Sequence, residues 1–93
     1  RYQQYFDYGS IQSQLLLRNR KPGDRFTPLG LKGSKKLKDY FIDEKIPQRK
    51  RDHIPLLCHS DQIMWIVGYR MSEKFKIRPS TKKILIVDYK IAD

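Results

Sequence analysis

Ninety-three residues limit this chain to one domain, 1–93, with a modest hydrophobic core, and a composition that is 39% apolar with one Trp, six Tyr and four Phe excludes a disordered segment. Twenty Lys and Arg against ten Asp and Glu leave a net charge of +10, whose self-repulsion disfavours the compact state unless a polyanion is the working partner. The single Cys58 excludes an intrachain disulfide and fits a reducing cytoplasmic setting, and no apolar run approaches the roughly 20 residues of a bilayer span.

The chain opens on Arg1 with no signal sequence and reads as a piece of a longer polypeptide. Residues 11–18 alternate loosely, with Ile11, Leu15 and Leu17 on one parity, and predict a half-buried strand. Pro22-Gly23 then fits the centre of a type II turn over Lys21–Asp24, because Pro presets φ and Gly accepts the positive φ that follows. Pro28, Gly30 and Gly33 keep the next stretch irregular, and Ser34 offers an N-cap hydroxyl to a helix expected from about Lys35 to Lys45. Leu37, Tyr40, Phe41 and Glu44 share one side of that helix, with Lys35, Lys38 and Lys45 on an adjoining flank. Pro47 starts a short helical turn through Arg51, which ends over 52–55.

Leu56–Cys58 and Ile63–Val67 flank a polar turn over His59–Gln62 and predict a β-hairpin with Trp65 in the core. Ile84–Tyr89 is apolar on both parities, as expected of a strand covered on both faces. The order β, α, short α, β, β, β defines an α+β domain, helices on a mostly antiparallel sheet, without internal repeats.

Chemistry-bearing residues are sparse. Leu29 to Lys36 lacks the spacing of a phosphate-wrapping nucleotide loop, which argues against ATP binding in this chain. His53, Cys58 and His59 are too few and wrongly spaced for a zinc site, so no metal is expected. Adjacent Cys58 and His59 on a strand face opposite ways and cannot act as a nucleophile pair. Asp39, Asp43 and Glu44 sit among lysines, where pairing such as Asp39 with Lys35 explains them better than acid/base work. No catalytic site is expected. The charge is concentrated: residues 18–51 hold twelve of the 20 cations, among them Lys45, and only four acids. Lys35 and Lys36, placed in a first helical turn, would oppose the helix dipole unless a nucleic-acid phosphate offset the repulsion. Of the nearby aromatics, Phe26, Tyr40, Phe41 and Tyr69, core packing is the stronger reading for Phe26 and Phe41. Tyr69, following Gly68 and adjoining Arg70, is the best base-stacking candidate.

The run Leu17 to Phe26 (LRNRKPGDRF), then Pro28-Leu29-Gly30, Lys35 to Asp43 (KKLKDYFID), Lys45-Ile46-Pro47, Arg51-Asp52, Ile54-Pro55-Leu56 and Trp65 to Arg70 (WIVGYR) resembles the C-terminal domain of tRNA(Ile)-lysidine synthetases. The likeness covers residues 17 to about 77, in several blocks that agree in order and spacing; 1–16 and 78–93 fall outside it. It implies a bacterial, cytoplasmic parent enzyme, an ATP-dependent ligase that joins lysine to the wobble cytidine of tRNA(Ile). ATP with Mg and the lysine would be handled by an N-terminal catalytic domain bearing an S-G-G-x-D-S loop, a sequence not found in this chain. The resemblance further implies a fold similar to a tRNA-binding domain of the phenylalanyl-tRNA synthetase β chain, and a role in holding the tRNA body, the acceptor stem above all. The residues expected to dock tRNA are Arg18, Arg20, Lys21, Arg25, Lys32, Lys35, Lys36, Lys38, Arg49, Lys50, Arg51, Tyr69 and Arg70. The rival readings are a generic RNA- or DNA-binding module, a structural or dimerisation domain and, weakest, attachment to an anionic membrane.

Overall fold

A three-stranded antiparallel sheet forms the middle of the molecule, with a helix on one face and a separate two-stranded sheet on the other. The computed structural model describes residues 2–91. In chain order its elements are β1 (Tyr2–Asp7), β2 (Leu15–Arg18), β3 (Arg25–Phe26), β4 (Lys35–Lys36), α1 (Leu37–Asp43), α2 (Gln48–Arg51), β5 (Leu56–His59), β6 (Gln62–Ile66) and β7 (Ile84–Tyr89). Single 3-10 turns occupy Tyr8–Ser10 and Glu73–Phe75. The central sheet runs β2-β5-β6, while β1 pairs with β7 and β3 with β4, all antiparallel. The α+β class expected from the sequence is the one observed.

The expected hairpin is β5–β6, with Trp65 2% exposed. Its alternation is broken at one point: Leu57 pairs with Trp65, yet Cys58 pairs with Ile63, so Met64 is the extra residue of a β-bulge. The bulge lets Met64 and Trp65 both enter the cluster beneath β1 and β7, while Ile63 and Ile66 enter the cluster beneath α1. Each side of the sheet therefore has its own core. Leu37, Tyr40 and Phe41 of α1 meet Phe26, Leu56, Cys58 and Ile66 on one side, and Phe6 of β1 meets Trp65, Met71 and Phe75 on the other.

Five expectations need correction. The main helix begins at Leu37 and not at Lys35: Lys36 has extended dihedrals, φ −64 and ψ 135, and Lys35 pairs with Phe26 in β4. Ser34 does not cap it, because its hydroxyl accepts from Arg25 Nε at 3.1 Å, and the Leu37 N–H is met instead by the Asp24 carbonyl at 2.9 Å. The helix stops at Asp43, with Lys45 in the left-handed region at φ 56 and Glu44 exposed rather than packed. The strand expected over 11–18 is confined to Leu15–Arg18, since the Gln12 and Ser13 N–H groups both donate to His59 Nε2, at 2.9 and 3.1 Å, and Leu17 is exposed. Finally, β7 is covered on one face only: Leu85, Val87 and Tyr89 pack inward, whereas Ile84 and Ile86 are 53% and 56% exposed. The antiparallel partner of β7, β1, lies in the stretch for which the sequence offered no motif.

Candidate nucleic-acid interface

The Lys21–Asp24 turn forms as expected, with the Asp24 N–H on the Lys21 carbonyl at 3.2 Å and Gly23 at φ 83. It is anchored at both ends. The Asp24 carboxylate accepts the Lys21 N–H at 2.7 Å and both Arg18 guanidinium nitrogens at 2.9 and 3.0 Å, and its carbonyl receives the first amide of α1. Burial pushes the Asp24 carboxyl up, but the Arg18 bond and the Lys21 N–H outweigh it, so the acid titrates below its ordinary range. This anchoring brings the turn against β4 and the start of α1. A cavity of about 460 Å³ opens between them, lined by Arg20, Lys21, Pro22, Gly23, Lys36 and Lys38, with Asp24, Leu37 and Asp52 completing the wall.

Both carboxylates of that wall are occupied: Asp24 by Arg18, and Asp52 by Arg20 at 2.7 Å. Arg20 is held a second time by the Phe41 ring, whose centroid lies 5.8 Å from the guanidinium carbon. The amino groups of Lys21, Lys36 and Lys38 make no ion pair or side-chain hydrogen bond among the described residues. Arg25 and Lys36 stand directly opposite each other on β3 and β4, both exposed, an unfavourable like-charge pairing that an anion would relieve.

The thirteen residues singled out from the sequence thus divide. Arg18, Arg20 and Lys35 are engaged with Asp24, Asp52 and Asp43, and Arg51 donates from Nε to the Ile46 carbonyl at 2.9 Å, closing the end of α1. The Lys35 partner is Asp43, not the Asp39 that helical spacing predicted. Arg25 leans on Ser34. Lys21, Lys32, Lys36, Lys38, Arg49, Lys50 and Arg70 are exposed. Tyr69 is 41% exposed, whereas Phe26, Tyr40 and Phe41 are buried at 5%, 3% and 0%, which removes those three from any stacking role. The Tyr40 hydroxyl accepts the Arg70 N–H at 3.3 Å, and this contact carries Tyr69 and Arg70 to the flank of α1.

A second group of cations was passed over in the sequence. Lys74, Lys76, Arg78, Lys82 and Lys83 fall within ten residues, a density that could have been noticed. Lys76 is paired with Glu73, while Lys74 lines the same small cleft as Arg25, Ser34 and Asp61. Among the described residues no three His, Cys, Asp or Glu side chains converge as a metal site requires, and Cys58 is a buried thiol that burial pushes up. No helix among them is long and apolar enough to cross a membrane.

The architecture places the chain in a class of small antiparallel α+β domains. It is shared with an N-terminal fragment of the phenylalanyl-tRNA synthetase β subunit from Pyrococcus horikoshii, at a TM-score of 0.69 over 90% of this chain and 26% of that one, with 22% identity. A crystal structure of a TilS C-terminal domain superimposes at a TM-score of 0.75, with 34% identity over 91% of this chain and 67% of that one. The profile of the TilS substrate C-terminal domain matches residues 15–87, and the chain belongs to that family. It is 52% identical over 88 residues to the tRNA(Ile)-lysidine synthase of Caldanaerobacter subterraneus subsp. tengcongensis, covering 95% of this chain and 19% of the relative. The corresponding enzyme of Clostridium tetani is 58% identical over 84 residues, covering 90% and 18%. The chain therefore spans about a fifth of the length of these relatives.

Proposed function

We propose that this domain holds tRNA for a tRNA(Ile)-lysidine synthetase, a cytoplasmic ligase whose ATP, Mg and lysine chemistry is carried elsewhere in the longer polypeptide. The observation that carries this reading is the convergence of Lys21, Lys36 and Lys38 with Arg20 on one cavity whose acids are already neutralised by protein cations. Exposed, unpaired ammonium groups on the anchored turn, on β4 and at the start of α1 suit sugar-phosphate contacts, which position an RNA without reading its sequence. Lys32, Arg49, Lys50 and Arg70 extend the contact around α1, and Tyr69 offers a ring to an unstacked base. Arg18, Lys35 and Arg51, engaged in internal contacts, shape the surface more than they bind. In this reading the domain positions substrate for a bond-making step carried out elsewhere in the polypeptide.

The test is binding of a tRNA(Ile) transcript and of an unrelated hairpin to the 93-residue chain over a salt series. Affinity falls steeply with salt, by about 0.7 to 0.9 in log–log slope for each phosphate neutralised, and the tRNA outcompetes the hairpin. Equal competition would leave a generic RNA-binding module, and a flat salt response would remove the electrostatic account. A packing role is a second reading, carried by the outward face of β1–β7, where Tyr5, Ile84 and Ile86 are 46%, 53% and 56% exposed. Sedimentation of the chain alone tests it through self-association.

A further inference from the structure

The cavity between the Lys21–Asp24 turn and α1 is larger than a phosphate contact needs. Its volume of about 460 Å³ lies within the range of roughly 300–1,000 Å³ of sites that enclose small molecules. The wall is also mixed in character: Pro22, Gly23 and Leu37 supply apolar surface, Lys21, Lys36 and Lys38 supply unpaired charge, and the two carboxylates are already bonded. Arg20 contributes a planar cation fixed by Asp52 and Phe41 before any ligand arrives. Planar guanidinium groups stack on bases, and RNA offers free base faces only where nucleotides are unpaired. The turn that forms one side of the cavity is held by the Asp24 bonds to Arg18, Lys21 and Leu37, so the hollow is present in advance and no loop must be ordered to create it.

We propose that this cavity receives one unpaired nucleotide of the bound RNA, with its base against Arg20 and Pro22 and its phosphate on Lys36 and Lys38. The proposal rests on the RNA-holding reading above and adds a single-strand requirement to it. The experiment compares three RNAs of equal phosphate number at one salt concentration: a blunt hairpin, a hairpin with a four-nucleotide 3′ extension, and that same hairpin with the extension made abasic. The extended hairpin binds about fivefold to a hundredfold more tightly than the blunt one, the range set by base stacking. The abasic extension returns to within about twofold of the blunt hairpin, because base contacts and not added charge produce the gain.

The gain disappears in Arg20→Leu, with thermal unfolding as the check on its fold, and shrinks in Lys36→Ala, whose side chain is exposed and unpaired. Equal affinity for blunt and extended hairpins, or a gain that survives in the abasic RNA, overturns the inference while leaving duplex docking intact. A gain that survives both substitutions removes this cavity from the site. Failure of all three RNAs to bind overturns both this inference and the docking reading.

Discussion

Arg18 and Asp24 form a fork-to-fork pair, two guanidinium nitrogens on two carboxylate oxygens at 2.9 and 3.0 Å, with both side chains largely shielded from water. The pair ties the end of β2 to the turn that lines the cavity. Asp24→Asn removes the charge and one of the two oxygens that accept from Arg18, at an expected cost of about 2 kcal/mol. The sign with pH follows from the lowered carboxyl. A folded-state pKa below the unfolded value contributes stability that is complete above about pH 4 and is lost as pH falls through the folded value. Thermal unfolding between neutral and acid pH should show the wild type and Asp24→Asn converging as the solution becomes acidic. A constant gap between them would contradict the pairing.

Phe41 and the lysines beside it separate folding from docking. Phe41 is fully buried in the cluster under α1, so Phe41→Ala should cost about 3 to 5 kcal/mol, much of a small domain's stability. Lys36→Ala with Lys38→Ala touches exposed, unpaired groups and should leave the melting temperature nearly unchanged while weakening RNA binding and lowering its salt slope by about one to two. Lys35→Ala behaves differently from Lys36→Ala, because it breaks the ion pair with Asp43.

Cys58 has no exposed surface, and burial raises its thiol above the ordinary range. Reaction needs the thiolate at the surface, so alkylation should proceed only through opening of the central sheet. Mass spectrometry of iodoacetamide labelling should show a rate at least about a hundredfold below that of the urea-unfolded chain. Rapid labelling in native buffer would mean that the β2–β5 pairing opens easily.

His59 accepts two backbone N–H groups on Nε2, which places its ring proton on Nδ1. His59→Ala leaves Gln12 and Ser13 without that acceptor and removes the ring packed on Phe75 at 5.6 Å. Amide exchange at Gln12 and Ser13 should accelerate, with little change in α1. Unaltered exchange would show that the loop is held by other contacts.

What was legible in the sequence was local. Pro22-Gly23 specifies its turn within four residues, and the polar break between Leu56–Cys58 and Ile63–Val67 specifies the hairpin. What was missed depends on partners far along the chain: Gln3 bonds Asp88 across 85 positions, and β4 exists only because Arg25 and Phe26 lie beside it. Without that partner Lys35 and Lys36 join a helical pattern, and the dipole argument built on them fails. At the site, the density of cations was visible, but their division into paired and unpaired groups was not, since Arg18 and Lys38 read alike until Asp24 is placed.

The pairing of Tyr2 with Tyr89 has a mechanical consequence. A force that pulls these two residues apart does not shear β1 along β7; it peels them, loading the six cross-strand pairs from Tyr2–Tyr89 to Asp7–Ile84 one at a time. Phe6 is reached near the end of that sequence, and its withdrawal opens the cluster around Trp65. The cluster under α1, which shares no residue with it, keeps its own contacts as this begins. Under tension the molecule should therefore yield at low force from the β1–β7 side, while the face that bears the cationic cavity is the last to lose its shape.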